Sequence, residues 1–182
     1  DITMLPKIKG LFVMDRRQTY QQKLSYYSPD LDYSQWEVVR DLMQELLDRK
    51  IDSTQSLQDL ILHRSELTAI LQEEFAWRYI EMTCYADQDS PRLNYQSYLV
   101  NVISPSKPLD FELKKKIFQG LKKYPDPENM SLYQRILSNE MDLFRMENVP
   151  LHEEEEQASS EYGAMISQLT TFFQELWIFR CF

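Results

Sequence analysis

The segment that comes closest to a catalytic motif is an acidic string that begins at His152. Zinc peptidases commonly carry His-Glu-x-x-His on a helix, which places two imidazoles one turn apart beside a glutamate that activates water. Here four glutamates follow His152, and the position of the second imidazole is occupied by Glu156. Acidic residues in the first turn of a helix favour the positive end of its dipole. We prefer that interpretation, and a weak carboxylate-rich metal site is the alternative.

The other residue types that often do chemistry have no partner at a useful spacing. His63 falls inside a long helical pattern without a second His or Cys at ligand spacing, so we expect it at the surface or packed. Cys84 has no nearby His that would lower the pKa of its thiol, which argues against a nucleophile. Carboxylate pairs such as Glu73-Glu74 are common on helices and more often face water. We predict no catalytic, metal-binding or cofactor-binding residue in this chain.

The composition excludes further classes of site and of partner. Three glycines leave no P-loop, no Gly-x-Gly-x-x-Gly turn and no Gly-x-Ser-x-Gly elbow. The net charge of −9 argues against nucleic acid and against an anionic membrane surface, because both need clustered basic residues. The one basic run, Lys114 to Lys116 with Lys122 and Lys123, is predicted to be a solvated helix face and not a binding patch.

The same composition predicts a folded protein of a reducing compartment. A chain of 182 residues that is 43% apolar can bury one core. Cys84 and Cys181 cannot form a disulfide framework. No stretch reaches the roughly 18 apolar residues of a membrane span, and no signal peptide is evident at the start. We expect a cytoplasmic protein that does not bind membranes.

Apolar residues at three- and four-residue steps predict an all-α fold, an array of about six helices joined by proline-containing loops. The predicted helices cover about 34–50, 57–85, 90–103, 110–123, 130–148 and 153–169. Ser53 or Ser56 is expected to cap the second helix, and Ser90 with Pro91 to start the third. Pro105 and Pro108 are expected to end the third. No Asn-Gly or Asp-Gly dipeptide indicates a tight β-hairpin.

The pattern divides the chain into three parts. Residues 1–33 are expected to be irregular or docked, residues 34–171 to form the helical domain, and residues 172–182 to be an apolar tail. The apolar stripe of every helix is assigned to the core. For the last helix this stripe consists of Ala158, Tyr162, Met165, Ile166 and Leu169.

Several stretches resemble one known family. They are Ser65-Glu66-Leu67, Glu73-Glu74-Phe75-Ala76-Trp77-Arg78-Tyr79-Ile80-Glu81-Met82-Thr83, Ile103-Ser104-Pro105 before Leu113, Leu143-Phe144-Arg145-Met146-Glu147-Asn148-Val149-Pro150-Leu151 and Glu161-Tyr162-Gly163-Ala164-Met165-Ile166. In order and spacing they are similar to the N-terminal helical region of the oligoendopeptidase F family of zinc metallopeptidases. The resemblance extends from about Tyr26 to Leu169.

The resemblance implies a fold, an activity and partners for a longer parent protein. Members of the family are mainly α-helical and cleave short peptides inside an enclosed channel that the N-terminal region helps to wall. Their zinc is held by His-Glu-x-x-His and a further Glu in the C-terminal half, so no site residue is carried over to this chain. We expect an incomplete part of that fold, inactive alone, whose partners are short peptides and the missing catalytic half.

After about Thr171 the chain departs from the family. Gln174 to Phe182 is apolar, where the family continues into further helices. A truncated or frame-shifted reading frame would explain this tail. The alternative is a stand-alone helical interaction module whose tail, Phe172 to Phe182, docks on a partner.

Overall fold

Helices make up most of the described chain. The computed structural model describes residues 24–85, 88–124 and 130–167, together with two short strands at 171–173 and 176–178. The helices are α1 (Trp36–Asp48), α2 (Thr54–Cys84), α3 (Asp89–Tyr98), α4 (Ser104–Lys123), α5 (Ser131–Leu143) and α6 (Asn148–Ser167), with a π-helical turn at Leu99–Ile103. The prediction of an all-α fold is confirmed.

The start of α2 follows the predicted cap. The Ser53 side chain accepts a hydrogen bond from the backbone N–H of Ser56, and the Ser56 hydroxyl accepts one from the backbone N–H of Ser53. This reciprocal arrangement satisfies amides that have no partner inside the helix. From this cap α2 continues for 31 residues, roughly 46 Å, and most other helices pack against it.

The prediction that Pro105 and Pro108 end a helix is wrong. The chain stays helical from Asp89 to Lys123, because the π-helical turn joins α3 to α4. In that turn the Ser104 N–H donates to the carbonyl of Leu99, five residues back. Pro105 directly follows the π-helical turn, where the hydrogen-bond register changes, and Pro108 lies further inside α4.

Further boundaries differ from the predicted ones. Helix α3 begins at Asp89, and its N-cap is Gln88 instead of Ser90. Helix α5 ends at Leu143. Helix α6 begins at Asn148, five residues earlier than predicted, and contains Pro150. Proline is compatible with this position because the first-turn amides of a helix have no intrahelical acceptor.

The core lies between α1, α2, α4 and the π-helical turn. Its most deeply buried side chains are Val39, Leu46, Leu57, Leu60, Leu67, Tyr95, Leu99, Val102, Leu113, Ile117 and Leu137. Gly120 of α4 allows a close approach to α2, because a Cβ there would lie 2.8 Å from Leu57 Cδ1 and 3.1 Å from Ile51 Cδ1. The predicted core is confirmed for α1, α2 and α4, except that Tyr79 is exposed; Leu93 of α3 is also exposed.

The strands Thr171–Phe173 and Leu176–Ile178 pair in antiparallel fashion, with Phe172 opposite Trp177. Aromatic and β-branched residues favour strands, and they form this pair without the Asn-Gly turn on which our expectation was based. The rest of the predicted tail and residues 1–23 lie outside the described residues. Within the described residues, no helix has both the length and the apolar character needed to cross a membrane.

Candidate functional site

A cleft of about 340 Å³ lies where α4, α5 and α6 meet. Phe111 of α4 and Phe144 after α5 stack in it, with ring centroids 4.2 Å apart. Its charged lining residues are Lys107, Asp110, Lys114, Glu140, Arg145 and Glu156, together with His152. The cleft thus offers an aromatic surface beside groups of both charges.

A network of ion pairs forms the deep side of the cleft and joins three helices. Arg64 of α2 donates to Asp110 of α4 from Nε at 2.8 Å and from Nη2 at 2.7 Å. Lys114 Nζ lies 3.1 Å from Asp110 and 2.7 Å from Glu140 of α5. Arg64 is only 9% exposed, so Asp110 neutralises a nearly buried charge. The network fixes α4 and α5 to the long helix.

This environment raises the pKa of both Lys114 and Tyr133. Burial opposes the charge on Lys114, but the carboxylates of Glu140 and Asp110 outweigh burial and raise its pKa. Burial also raises the pKa of the Tyr133 phenol, against the effect of the Arg64 guanidinium. At neutral pH the lysine is therefore charged and the phenol neutral.

The predicted solvated lysine face is correct only in part. Lys115, Lys122 and Lys123 of α4 face solvent. Lys114 belongs to the network, and Lys116 Nζ donates to the carbonyl oxygens of Leu46 and Leu47 at 3.1 and 2.7 Å and to that of Arg49. Lys116 thereby caps the C-terminus of α1, and burial lowers its pKa. Neither lysine is free to bind an external anion.

His152 lies on the rim of the cleft and is exposed. Its Nδ1 atom is 3.4 Å from Glu155 Oε2, while Glu156 accepts a hydrogen bond from the Tyr95 hydroxyl at 3.0 Å. Within the described part of the chain, no group of three or more His, Cys, Asp or Glu residues could hold a metal ion. The described residues therefore do not fit zinc, and we assign no metal ligand among them.

His63 lies in a different cluster, where the segment before α1 docks on α2. The Glu66 carboxylate accepts hydrogen bonds from the backbone N–H groups of Ser25, Tyr26 and Tyr27 at 2.9–3.2 Å. The His63 ring lies 4.0 Å from the Tyr26 ring and hydrogen-bonds to Arg49. Burial and the positive charge of Arg49 lower the pKa of His63. This histidine is packed and structural, one of the two positions expected for it.

Glu73 and Glu74 were expected to face water, but neither side chain is fully exposed. Both side chains are half-buried, and Glu74 pairs with Arg78 one turn later at 2.5 Å. The Arg78 guanidinium lies 4.0 Å from the centre of the Tyr98 ring. The ion pair between Glu74 and Arg78 therefore helps to link α2 to α3. Cys84, at the end of α2, is exposed, and Cys181 lies outside the described residues.

The pairing of Arg64 with Asp110 was not predicted from the sequence, although a signal was present. Arg64 falls on the apolar stripe of α2, four residues after Leu60 and three before Leu67. A charged residue on a buried face needs a partner of opposite charge. Choosing Asp110 among the 29 acidic residues requires the helix packing, which periodicity alone does not give.

The apolar stripe predicted for α6 is not in the core. Ala158 is exposed, as are Tyr162 (64%), Met165 (62%) and Ile166 (39%), whereas Leu169 lies outside the described residues. The helix packs through its opposite side, where the Ser160 hydroxyl lies 3.0 Å from Met82 Sδ and is buried. Helix α6 therefore leaves an apolar side exposed to solvent.

Compared with known proteins, the chain matches no family model, no curated protein sequence and no solved structure.

Proposed function

We propose that the chain is the N-terminal, non-catalytic helical part of a zinc oligopeptidase similar to oligoendopeptidase F, in which it walls a channel for short peptides. The proposal rests on the resemblance of five stretches between Ser65 and Ile166. The all-α fold is compatible with it. All five stretches fall within helices or the turn between α5 and α6, as expected for parts of a helical scaffold.

The cleft is the observation that carries the peptide-binding part of this proposal. Leu143, Phe144, Arg145, Asn148 and Val149 line one side of it, and all belong to a single resembling stretch. Short peptides carry an ammonium group, a carboxylate and side chains of varied polarity. A cleft with cations, carboxylates and a stacked phenyl pair can contact all three kinds of group.

Zinc is implied only by the resemblance to the parent family. Bound at a His-Glu-x-x-His site, it would supply a water molecule activated for attack on a peptide bond. The described residues do not fit that ion, so we assign no hydrolytic step to this chain. Its contribution would be to bind and to exclude: the rigid helices would limit access to short, unfolded peptides.

Metal content and peptidase activity test this proposal together. The purified chain should hold no stoichiometric zinc by elemental analysis and should leave quenched-fluorescent peptides intact with or without added zinc. It should still bind a short fluorescent peptide, and Arg145→Ala together with Phe144→Ala should weaken that binding. Glu37→Ala is the control, because this exposed residue of α1 does not line the cleft. Zinc-dependent cleavage by the purified chain would contradict the proposal.

A stand-alone helical interaction module is the second candidate, favoured by the exposed apolar side of α6. Deletion of residues 172–182 separates the two candidates. An interaction module that uses this tail should lose its partner and stay folded. A part of a larger peptidase should keep its fold and become less prone to aggregate, because an apolar end without its normal cover has been removed.

A further inference from the structure

The outer side of α6 carries a continuous apolar stripe. At 3.6 residues per turn, Leu151, Ala158, Tyr162 and Met165 lie on one side of the helix over four turns, roughly 21 Å. All four are exposed. Their spacings of seven, four and three residues are those by which one helix packs its side chains against another.

The same side is strongly acidic. Glu154, Glu155 and Glu161 flank the stripe and are exposed, and α6 contains no Lys or Arg. The contact of Glu155 with His152, at 3.4 Å, is weak and exposed. An apolar stripe bordered by carboxylates is complementary to an apolar stripe bordered by lysines or arginines.

We infer that this apolar stripe of α6, with its flanking glutamates, docks a helix of matching chemistry. That helix carries apolar residues at three- and four-residue steps and Lys or Arg on both flanks. Charge decides against two other occupants. A second copy of the chain would bring the glutamates of two α6 helices together, and like charges repel. An anionic lipid surface would meet the same carboxylates on a chain of net charge −9.

This inference does not depend on the peptidase proposal, because the partner is defined by its chemistry alone. We take the helix to belong to another polypeptide. If the peptidase proposal fails, an interaction module would use the same surface. If the docking fails, the resemblance and the cleft are unaffected.

The test uses the full chain and synthetic helical peptides of about 20 residues, a length that spans the stripe. The probe has Leu at three- and four-residue steps and Lys on both flanks. One control peptide replaces every Lys by Glu, and another scrambles the Leu positions at constant composition. Fluorescence anisotropy of the labelled probe measures Kd at low and high salt.

We expect the probe to bind at least about tenfold more tightly than either control peptide. Replacing Tyr162 and Met165 by Ser should weaken binding about tenfold, because two exposed apolar side chains no longer become buried. Leu62→Ser with Leu93→Ser, which removes exposed apolar side chains outside α6, should change Kd less than about twofold. The triple replacement of Glu154, Glu155 and Glu161 by Gln should remove most of the salt dependence.

Several results would overturn the inference. Equal binding of the Leu-Lys and scrambled peptides would show charge attraction without a docking stripe. Equal binding of the Lys and Glu peptides would show that the carboxylates of α6 do not contribute to binding. A dimer in light scattering that dissociates in the Tyr162→Ser, Met165→Ser variant would assign the stripe to a second copy. The CD helix signal of each variant identifies any loss of binding caused by unfolding, and the salt titration of the unmodified chain does not depend on any variant.

Discussion

Helices α2 and α6 both carry apolar residues at helical spacing, yet only α2 buries them. Along α2 the stripe from Leu57 to Met82, apart from Tyr79, is covered by other helices, while the stripe of α6 faces solvent. Periodicity identifies the side of a helix that is apolar, but another element must lie against that side before it becomes core. The two helices therefore differ in available partners and not in sequence pattern.

This contrast separates a region that stabilises the fold from a region that we propose to dock a partner. Side chains between α1, α2 and α4 contribute most to the free energy of unfolding, because they leave water when the chain folds. The exposed side chains of α6 contribute little to it and can bury area only against a partner. Matched substitutions in the two regions should therefore change the free energy of unfolding by very unequal amounts or in opposite directions.

The largest difference is expected between two leucine truncations. Leu113→Ala on α4 removes a side chain that is 0% exposed and should reduce the free energy of unfolding by about 3 kcal/mol. Leu151→Ala on α6 should change it by less than about 0.5 kcal/mol. Urea unfolding followed by CD measures both. Equal losses in the two variants would mean that α6 buries its stripe in solution.

Loss of the Asp110 carboxylate should have the next largest effect. Asp110→Ala leaves the nearly buried Arg64 without its partner and should cost about 2 kcal/mol of stability. Asp89→Ala removes an exposed carboxylate that pairs with Arg92, and should cost less than about 0.5 kcal/mol. The same urea experiment applies. A small effect at Asp110 would show that water replaces the carboxylate beside Arg64.

Two glycine-to-alanine substitutions should change the stability of the fold in opposite directions. Alanine is a better helix former than glycine, so Gly163→Ala, whose new Cβ would meet nothing within 4 Å, should raise stability by about 0.5–1 kcal/mol. Gly120→Ala brings its Cβ to 2.8 Å from Leu57, and the resulting overpacking should lower stability by about 1 kcal/mol. The melting temperature measures both changes. A stabilising Gly120→Ala would show that the Leu57 and Ile51 side chains move aside.

The next effect concerns how the stability of the docked segment depends on pH. His63 binds its proton more weakly in the folded chain than in the unfolded chain, because its folded-state pKa is lowered. Stability is then fully present above about pH 6.5 and decreases as the pH falls through the folded-state pKa. His63→Gln should reduce this decrease below about pH 6.5 in urea unfolding. An unchanged pH profile would assign the acid sensitivity to other groups.

A second pH effect is expected in alkali. Burial raises the pKa of Tyr27 to about 12 and also raises that of Tyr98. An unfolded tyrosine ionises near pH 10, so stability should be present below that pH and should decrease as the pH rises toward 12. Absorbance at 295 nm should report phenolate formation together with unfolding.

The sequence predicts the helical class, the α2 cap and the α1, α2 and α4 core well, because these depend on local periodicity and short-range hydrogen bonds. It fails at Pro105, where the five-residue hydrogen bond of the π-helical turn overrides the usual effect of proline. It fails again at Lys114 and Lys116, because a lysine on a helix surface becomes structural only when another helix supplies carboxylates or free carbonyls. The cleft depends on contacts between residues far apart in sequence and could not be predicted from local pattern.

The most direct test of the central claim is to sequence the coding DNA beyond the last codon and translate all three frames. If the chain is the N-terminal helical part of an oligopeptidase, a helix containing His-Glu-x-x-His and a later Glu should follow in one frame. A downstream sequence without that motif in any frame would contradict the claim and would favour a stand-alone helical interaction module.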